Sequence, residues 1–220
     1  MDLSTSYLGL KLAHPIMPGA SPLVDDLDVV RRLEDAGAAA IVMHSLFEEQ
    51  IVGEQFARGD FMDAHADSHA EAGTYFPEPE EFTLGPEEYL KQVALIKEAV
   101  DVPVIASLNG TTKGGWLEHA RLIEQAGADA LELNVYGIAT DPDKPGSRVE
   151  DLTVDLVRTV ASSVRIPVAV KLSPFYTSLA NLGRRLEEAG ARGLVLFNRF
   201  YQPDIDVENL AVLRTLHLSD

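Results

Sequence analysis

The stretch EQAGADALELN, residues 124–134, decides the fold, because it joins the end of a helix to a short apolar strand through one glycine. Two other segments repeat this pattern, EDAGAAAIVMH at 34–44 and EEAGARGLVLFN at 187–198. A residue that follows a helix often adopts the left-handed conformation, which glycine reaches at little cost. The repeat therefore predicts three helix-to-strand junctions of one kind.

A second type of junction alternates with the first along the chain. In VDVPVIASLN at 100–109 and VRIPVAVKLS at 164–173, a proline ends the helix and an apolar strand follows. Each strand and its helix take about 30 residues, the usual size of a βαβ unit. Short apolar strands that alternate with helices predict a parallel sheet covered on both faces.

These signals predict six strands and at least five helices. The strands lie near 15–20, 39–44, 103–108, 130–135, 167–172 and 193–198, and the helices lie at roughly 25–36, 86–100, 114–126, 153–163 and 177–189. Alternating strand types favour a TIM (β/α)8 barrel, in which alternate strands supply alternate core layers. A doubly wound sheet usually has a Gly-rich turn after its first strand, and PGASP at 18–22 does not match that turn.

Six strands do not close a barrel of this type, which typically needs about 250 residues. The last segment, 199–220, predicts a loop or small hairpin rather than two further βα units. We expect a single incomplete barrel domain over 1–220, either a fragment of a longer protein or a chain that closes with a partner, for example as a homodimer. An insertion at about 47–85 is either a lid over the site or a solvated loop.

Composition narrows the possible partners. The 220 residues carry a formal net charge of −17, which opposes binding to nucleic acid and to anionic membranes. The chain has no cysteine, which removes disulfides and thiolate chemistry and agrees with a cytoplasmic protein. We find neither a signal peptide nor an apolar run near the roughly 20 residues of a transmembrane helix.

Polar residues end all six predicted strands, where the catalytic groups of a barrel lie. They are Ser21, His44, Asn109, Asn134, Lys171 and Asn198. Lys171 follows an apolar run, so it either stabilises charge on a flavin, forms a Schiff base, or pairs with a carboxylate such as Glu132.

The other strand-end residues allow both functional and structural interpretations. The three asparagines offer donors and acceptors to a planar heterocycle, or serve as turn and cap residues. His44 is a candidate acid or base, or a structural histidine. Arg199 either holds an anionic substrate or projects into solvent.

Five short motifs resemble the dihydroorotate dehydrogenase family. They are PGAS at 18–21, IASLNG at 105–110, LELNV at 131–135, VAVKLSP at 168–174 and FN at 197–198. The resemblance implies a TIM barrel that uses FMN to oxidise dihydroorotate to orotate in pyrimidine biosynthesis, and residues 3–15 resemble the hairpin that precedes that barrel. The lack of an N-terminal helical extension resembles the family's soluble class.

The resemblance also implies roles for individual residues. Ala20 and Ser21 would contact the flavin, and Asn109 and Asn134 would bond to flavin or substrate. Lys171 would approach the flavin ring near N1. Asn198 and Arg199 would face the substrate, together with Asn134.

Departures from the family pattern lie on the substrate side. His44-Ser45 stands where the soluble class has Lys-Ser, and Gly137 stands at the position of the family's Cys or Ser base. Arg199 replaces the Ser that follows the strand-end Asn. Tyr136 or His44 is therefore a candidate base.

The family's phosphate-binding turns follow strands seven and eight, so we expect this chain alone to hold FMN weakly. Two alternatives remain at this point: a lyase or aldolase barrel with an imine at Lys171, and a non-catalytic truncated barrel.

Overall fold

The computed structural model describes residues 1–47, 86–109, 113–135, 141–198, 204–206 and 211–213. The elements before the first long gap are β1 (Thr5–Tyr7), β2 (Leu10–Leu12), a 3-10 helix (Pro22–Asp25), α1 (Leu27–Asp35) and β3 (Ile41–Phe47). They are followed by α2 (Pro86–Ala99), β4 (Val104–Asn109), α3 (Lys113–Gln125), β5 (Ala130–Asn134), α4 (Gly146–Ala161), β6 (Val168–Leu172), α5 (Leu179–Glu188) and β7 (Gly193–Leu196). Two short strands, β8 (Asp204–Asp206) and β9 (Ala211–Leu213), come last.

The central sheet has five parallel strands in the order β3-β4-β5-β6-β7. The spatial order is the chain order throughout, and between each pair of neighbouring strands the chain forms a helix. A doubly wound sheet reverses its strand order at a switch point, whereas a barrel does not. The topology confirms part of a (β/α)8 barrel.

The helix-to-strand glycines behave as the repeat predicts. Gly37, Gly127 and Gly190 have φ of 94°, 96° and 109°, and each donates its N–H back to a carbonyl in the last turn of the preceding helix. The helix ends are also tied to the next junction: Glu34 Oε1 accepts from the N–H groups of Asp101 (2.7 Å) and Val102 (3.2 Å). Glu124 makes the same contacts with Arg165 and Ile166. The repeat thus sets how consecutive units dock.

Two apolar clusters cover the two faces of the sheet. The outer cluster packs helices against the strands and includes Val93, Ile123, Val157 and Leu186. The inner cluster contains small and medium side chains of four strands, or of residues directly before a strand, among them Ala40, Ile105, Ala130 and Ala169. Leu8 and Leu12 of the N-terminal hairpin also belong to it. The hairpin therefore closes the end of the inner face where the strands begin.

The predicted strand at 15–20 is wrong. No strand forms between β2 and β3, a stretch that the structure describes in full. The segment contributes one carbonyl, that of Ile16, which accepts from Ala39 N at 3.1 Å. Pro15 and Pro18 lack N–H donors, so this segment cannot form a regular ladder.

Two other boundaries differ from or sharpen the sequence prediction. α4 begins at Gly146 rather than near 153, directly after Pro145, which occupies the N-cap position. β8 and β9 pair in antiparallel fashion, which confirms the hairpin alternative for the C-terminal segment.

Among the described residues, no helix is both long and apolar enough to cross a membrane.

Candidate functional site

The candidate site lies on the inner face, at the ends of the strands. Buried polar side chains gather there, in contrast to the apolar inner layer below them. They are Ser45, Ser107, Glu132, Asn134 and Ser173, each 9 % exposed or less. Buried polar groups are costly unless they are paired, so their partners decide what the site can do.

A bulge in β3 selects the residue that joins this group. Val42 pairs with Ile105 and Ser45 pairs with Ser107, so β3 has one more residue than β4 between these two pairs. Without the extra residue, strict alternation from Val42 would put His44 on the inner face. The bulge places Ser45 there instead.

Four side chains form a continuous hydrogen-bonded chain, which we call the strand-end network: Ser107, Ser45, Asn134 and Asn198. The hydroxyl groups of Ser45 and Ser107 are 2.8 Å apart. Asn134 donates from Nδ2 to Ser45 Oγ at 3.3 Å and accepts at Oδ1 from Asn198 Nδ2 at 2.6 Å. Both ends of the Asn134 amide are engaged, which fixes its orientation.

Lys171 lies beside the network and is paired with Glu132. Its Nζ is 3.2 Å from Glu132 Oε1, and the side chains are 16 % and 6 % exposed. The carboxylate alternative for Lys171 is therefore realised in the structure. Lys171 is also the register partner of Asn134 on the neighbouring strand, which puts the two residues at the same level of the sheet.

Tyr7 lies on the same inner face, below the ion pair. Its ring packs near Gly193 at the start of β7, where a Cβ would lie 3.0 Å from Tyr7 Cε2. Burial raises the pKa of the Tyr7 phenol to about 12, and the negative charge of Glu132 adds to that rise. The inner face thus holds the phenol in its neutral form.

His44 is directed away from the network. Its Nδ1 lies 2.8 Å from Asp25 Oδ1, out of line for a hydrogen bond, and its ring meets the Tyr89 ring edge-on at 5.3 Å between centroids. The buried Tyr89 hydroxyl lies 3.1 Å from the His44 carbonyl oxygen and 3.0 Å from that of Ser107, and accepts from Ser107 N. Burial, the largest cause, raises the pKa of Tyr89. These contacts join the 3-10 helix, β3 and α2.

Three of the remaining predicted residues, Ala20, Ser21 and Asn109, lie among the described residues. Ala20 is partly buried and packs against the inner cluster. Ser21 is the N-cap of the 3-10 helix and makes no side-chain capping bond. Asn109 is the last residue of β4 and is partly buried. Tyr136, Gly137, Arg199 and most of the insertion at 47–85 lie outside the described residues.

Sequence reasoning missed Ser45 and Ser107 as site residues. Serine is common in turns and in cores, so it carries little signal by itself. The available clue was the position of Ser107 two residues before Asn109, on the same face of a strand.

A large cavity lies elsewhere in the molecule. It has a volume of about 860 Å3 and is lined by the hairpin turn and the N-terminal end of β6, including Gly9, Pro167 and Val168. That end of a barrel contributes to stability, whereas chemistry takes place where the strands end. We therefore assign the candidate site from the strand-end side chains rather than from this cavity.

The comparisons with known proteins identify the family of this chain. The family model described as dihydroorotate dehydrogenase matches residues 78–214. A putative dihydroorotate dehydrogenase A (fumarate) of Aeropyrum pernix is 31 % identical over 94 % of this chain and 64 % of its own length. The catalytic subunit of dihydroorotate dehydrogenase B (NAD(+)) of Geobacillus kaustophilus is 29 % identical with the same coverage.

The chain thus spans about 64 % of the length of these relatives. Among solved structures, a phosphonopyruvate hydrolase superposes with a TM-score of 0.50 at 17 % identity, over 85 % of this chain and 55 % of the other, which supports the fold alone. The strand order, the strand-end residues and the family match lead to one conclusion: this chain belongs to the dihydroorotate dehydrogenase family.

Proposed function

We propose that this chain is the larger part of an FMN-dependent oxidoreductase that removes two hydrogens from neighbouring carbon atoms of a small cyclic substrate. Dihydroorotate, which would yield orotate for pyrimidine biosynthesis, is the first substrate to test. The observation that supports the proposal is the pairing of Lys171 with Asn134 in register, side by side where β5 and β6 end.

The donor set fits a flavin ring. The ring presents several acceptor atoms and one N–H along a single polar edge, and the ammonium of Lys171 and the amide of Asn134, on neighbouring strands, offer matching partners. Ala20, next to the inner cluster, adds a small side chain and backbone groups that allow a close approach. Ser21, which precedes the 3-10 helix, and Asn109, at the end of β4, complete the set that we assign to the cofactor.

The residues of this chain would bind and orient the reactants. When bound, FMN supplies a two-electron acceptor that takes a hydride as the carbon–carbon double bond forms. Asn134, held by Ser45 and Asn198, would present its amide in one fixed orientation. The amide would then not have to reorient when the reactants bind. The proton lost from the substrate needs a base, and the family's base position is Gly137. His44 and Tyr136 are the candidates, and the contacts of His44 with Asp25 and Tyr89, away from the network, count against it.

The lyase alternative is weaker, because a lysine must be uncharged to attack a carbonyl group. Lys171 lies 3.2 Å from a buried carboxylate, and attack on a carbonyl group would take it out of this ion pair. Charge stabilisation therefore suits Lys171 better than imine formation. Borohydride reduction in the presence of a carbonyl substrate checks this: a stable adduct at Lys171 would revive the lyase.

The decisive experiment is a flavin spectrum of the protein as its gene encodes it, followed by anaerobic titration with dihydroorotate. We expect visible flavin bands that bleach on titration. Lys171→Met should weaken FMN binding. Lys97→Met should not, because Lys97 pairs with Asp129 at 2.7 Å on the helix side of the sheet. Failure to bind FMN would refute the proposal. If FMN binds but dihydroorotate does not bleach it, only the choice of dihydroorotate as the substrate is refuted.

A further inference from the structure

Glu132 is a buried residue of the candidate site to which the proposed function gives no task. Its side chain is 6 % exposed, on the inner face of β5, and a carboxylate buried to this degree is costly unless it is paired. Its partner is Lys171, at 3.2 Å. The pair therefore links a buried anion to the cation that we assign to the flavin.

The register shows that the ion pair is diagonal across β5 and β6. Lys171 is level with Asn134, whereas Glu132 is level with Ala169, two residues nearer to the start of β6. The Nζ to Oε1 contact therefore ties Lys171 to a carboxylate that starts deeper in the inner face than Asn134 does. Glu132 thus sets both the position and the charge balance of the ammonium group.

We propose that Glu132 is a positioning residue that restrains Lys171 and limits how strongly this lysine favours reduced FMN, which carries negative charge near N1, over oxidised FMN. The inference rests on the proposed function. A cation with a carboxylate at 3.2 Å acts on a third group as a partly compensated charge. The charge of Glu132 reaches other groups on this face as well, since it contributes to the raised pKa of Tyr7.

The test replaces Glu132 and a matched carboxylate in the protein as its gene encodes it. Glu132→Gln removes the charge with little change of shape. Glu150→Gln is the control, because Glu150 also lies 3.2 Å from its cation, Arg185, is 15 % exposed, and joins α4 to α5 in the outer helix layer. The readout is the ratio of the dissociation constants of oxidised and reduced FMN.

We expect Glu132→Gln to raise that ratio about tenfold, a change that corresponds to one charge interaction in a partly polar site. Glu150→Gln should stay within about twofold of the wild type, as is usual away from a site. An unchanged ratio in Glu132→Gln, or an equal shift in both variants, would overturn the inference.

A second readout needs no flavin, and it separates this inference from the proposed function. Acetylation by acetic anhydride removes the charge of a lysine and would break its ion pair, so the contact with Glu132 should protect Lys171. Peptide mass spectrometry should show faster acetylation of Lys171 in Glu132→Gln than in the wild type, and no change in Glu150→Gln. Should Glu132→Gln not fold, Glu132→Asp retains the charge but shortens its reach, and faster acetylation is again expected. Wild-type acetylation rates in the folded variants would overturn the inference, whether or not FMN binds.

Discussion

Asn198 Nδ2 lies 2.6 Å from Asn134 Oδ1, although β6 runs between the strands that carry them. Asn134 reaches Ser45 across β4 in the same way, at 3.3 Å. Strands two apart in a flat sheet are separated by about 9.5 Å. Short side chains bridge this gap only because the sheet curves around its inner face, so the strand-end network is itself evidence of barrel curvature.

Removing the amide at the centre of the network should destabilise the fold. Asn134→Ala leaves the amide of Asn198 and the hydroxyl of Ser45 without this buried partner, and we expect a loss of about 1–3 kcal/mol. Asn181→Ala, on the exposed face of α5, should change stability by less than about 0.5 kcal/mol. Urea denaturation measures both. Equal, small changes would show that the network contributes no stability.

Gly193 should tolerate no side chain. A Cβ there would lie 2.8 Å from Leu8 Cδ2 and 3.0 Å from Tyr7 Cε2, so Gly193→Ala should cost about 1–3 kcal/mol by overpacking. Gly114→Ala in α3 is the matched control, because a Cβ at Gly114 would meet no atom of the described residues within 4 Å. That variant should be neutral or stabilising by up to about 1 kcal/mol. A stable Gly193→Ala protein would mean that the hairpin does not pack on β7.

Tyr7 should make stability depend on alkaline pH. Its pKa rises from 10.0 to about 12 on folding, so above pH 10 the unfolded chain loses the phenolic proton before the folded protein does. Stability therefore falls as pH rises from 10 to about 12. Because the phenol keeps some contact with solvent, Tyr7→Phe should remove up to about 2 kcal/mol of that fall and leave the curve below pH 10 parallel to the wild type. An identical alkaline decline in both proteins would contradict burial of the phenol.

The two candidate bases give different pH profiles. If His44 accepts the substrate proton, His44→Ala should remove the acidic limb of the rate profile, because an imidazole must be uncharged to act as a base. If Tyr136 accepts the substrate proton, Tyr136→Phe should abolish reduction of the flavin by the substrate while FMN binding is retained. Stopped-flow reduction of the flavin across pH separates them. Profiles that match the wild type in both variants would exclude both residues.

The fold was largely predictable because its signals are local and repeated. Gly127 and Pro103, with their counterparts, mark the helix ends, and the apolar runs after them can only be buried strands. The absent strand at 15–20 shows the limit of these local signals. An apolar pattern alone predicts a strand there, but Pro15 and Pro18 lack the backbone N–H donors that strand pairing requires. The site was predictable in part. Asn134 and Asn198 bond to each other, and Lys171 pairs with Glu132 on the same face. Ser45 joins Ser107 only through the bulge in β3, which depends on pairing between strands rather than on local sequence.

That bulge also affects how related chains are compared. Because neighbouring residues of a strand face opposite sides, one inserted residue exchanges the inward side chain for the one beside it. A relative without the bulge would present to its ligand the residue that aligns with His44, whereas this chain presents a hydroxyl group. The chemistry of a binding surface can therefore diverge through an insertion alone, while the sequence still contains every catalytic residue. Residues that are identical in an alignment need not occupy equivalent positions in the two structures.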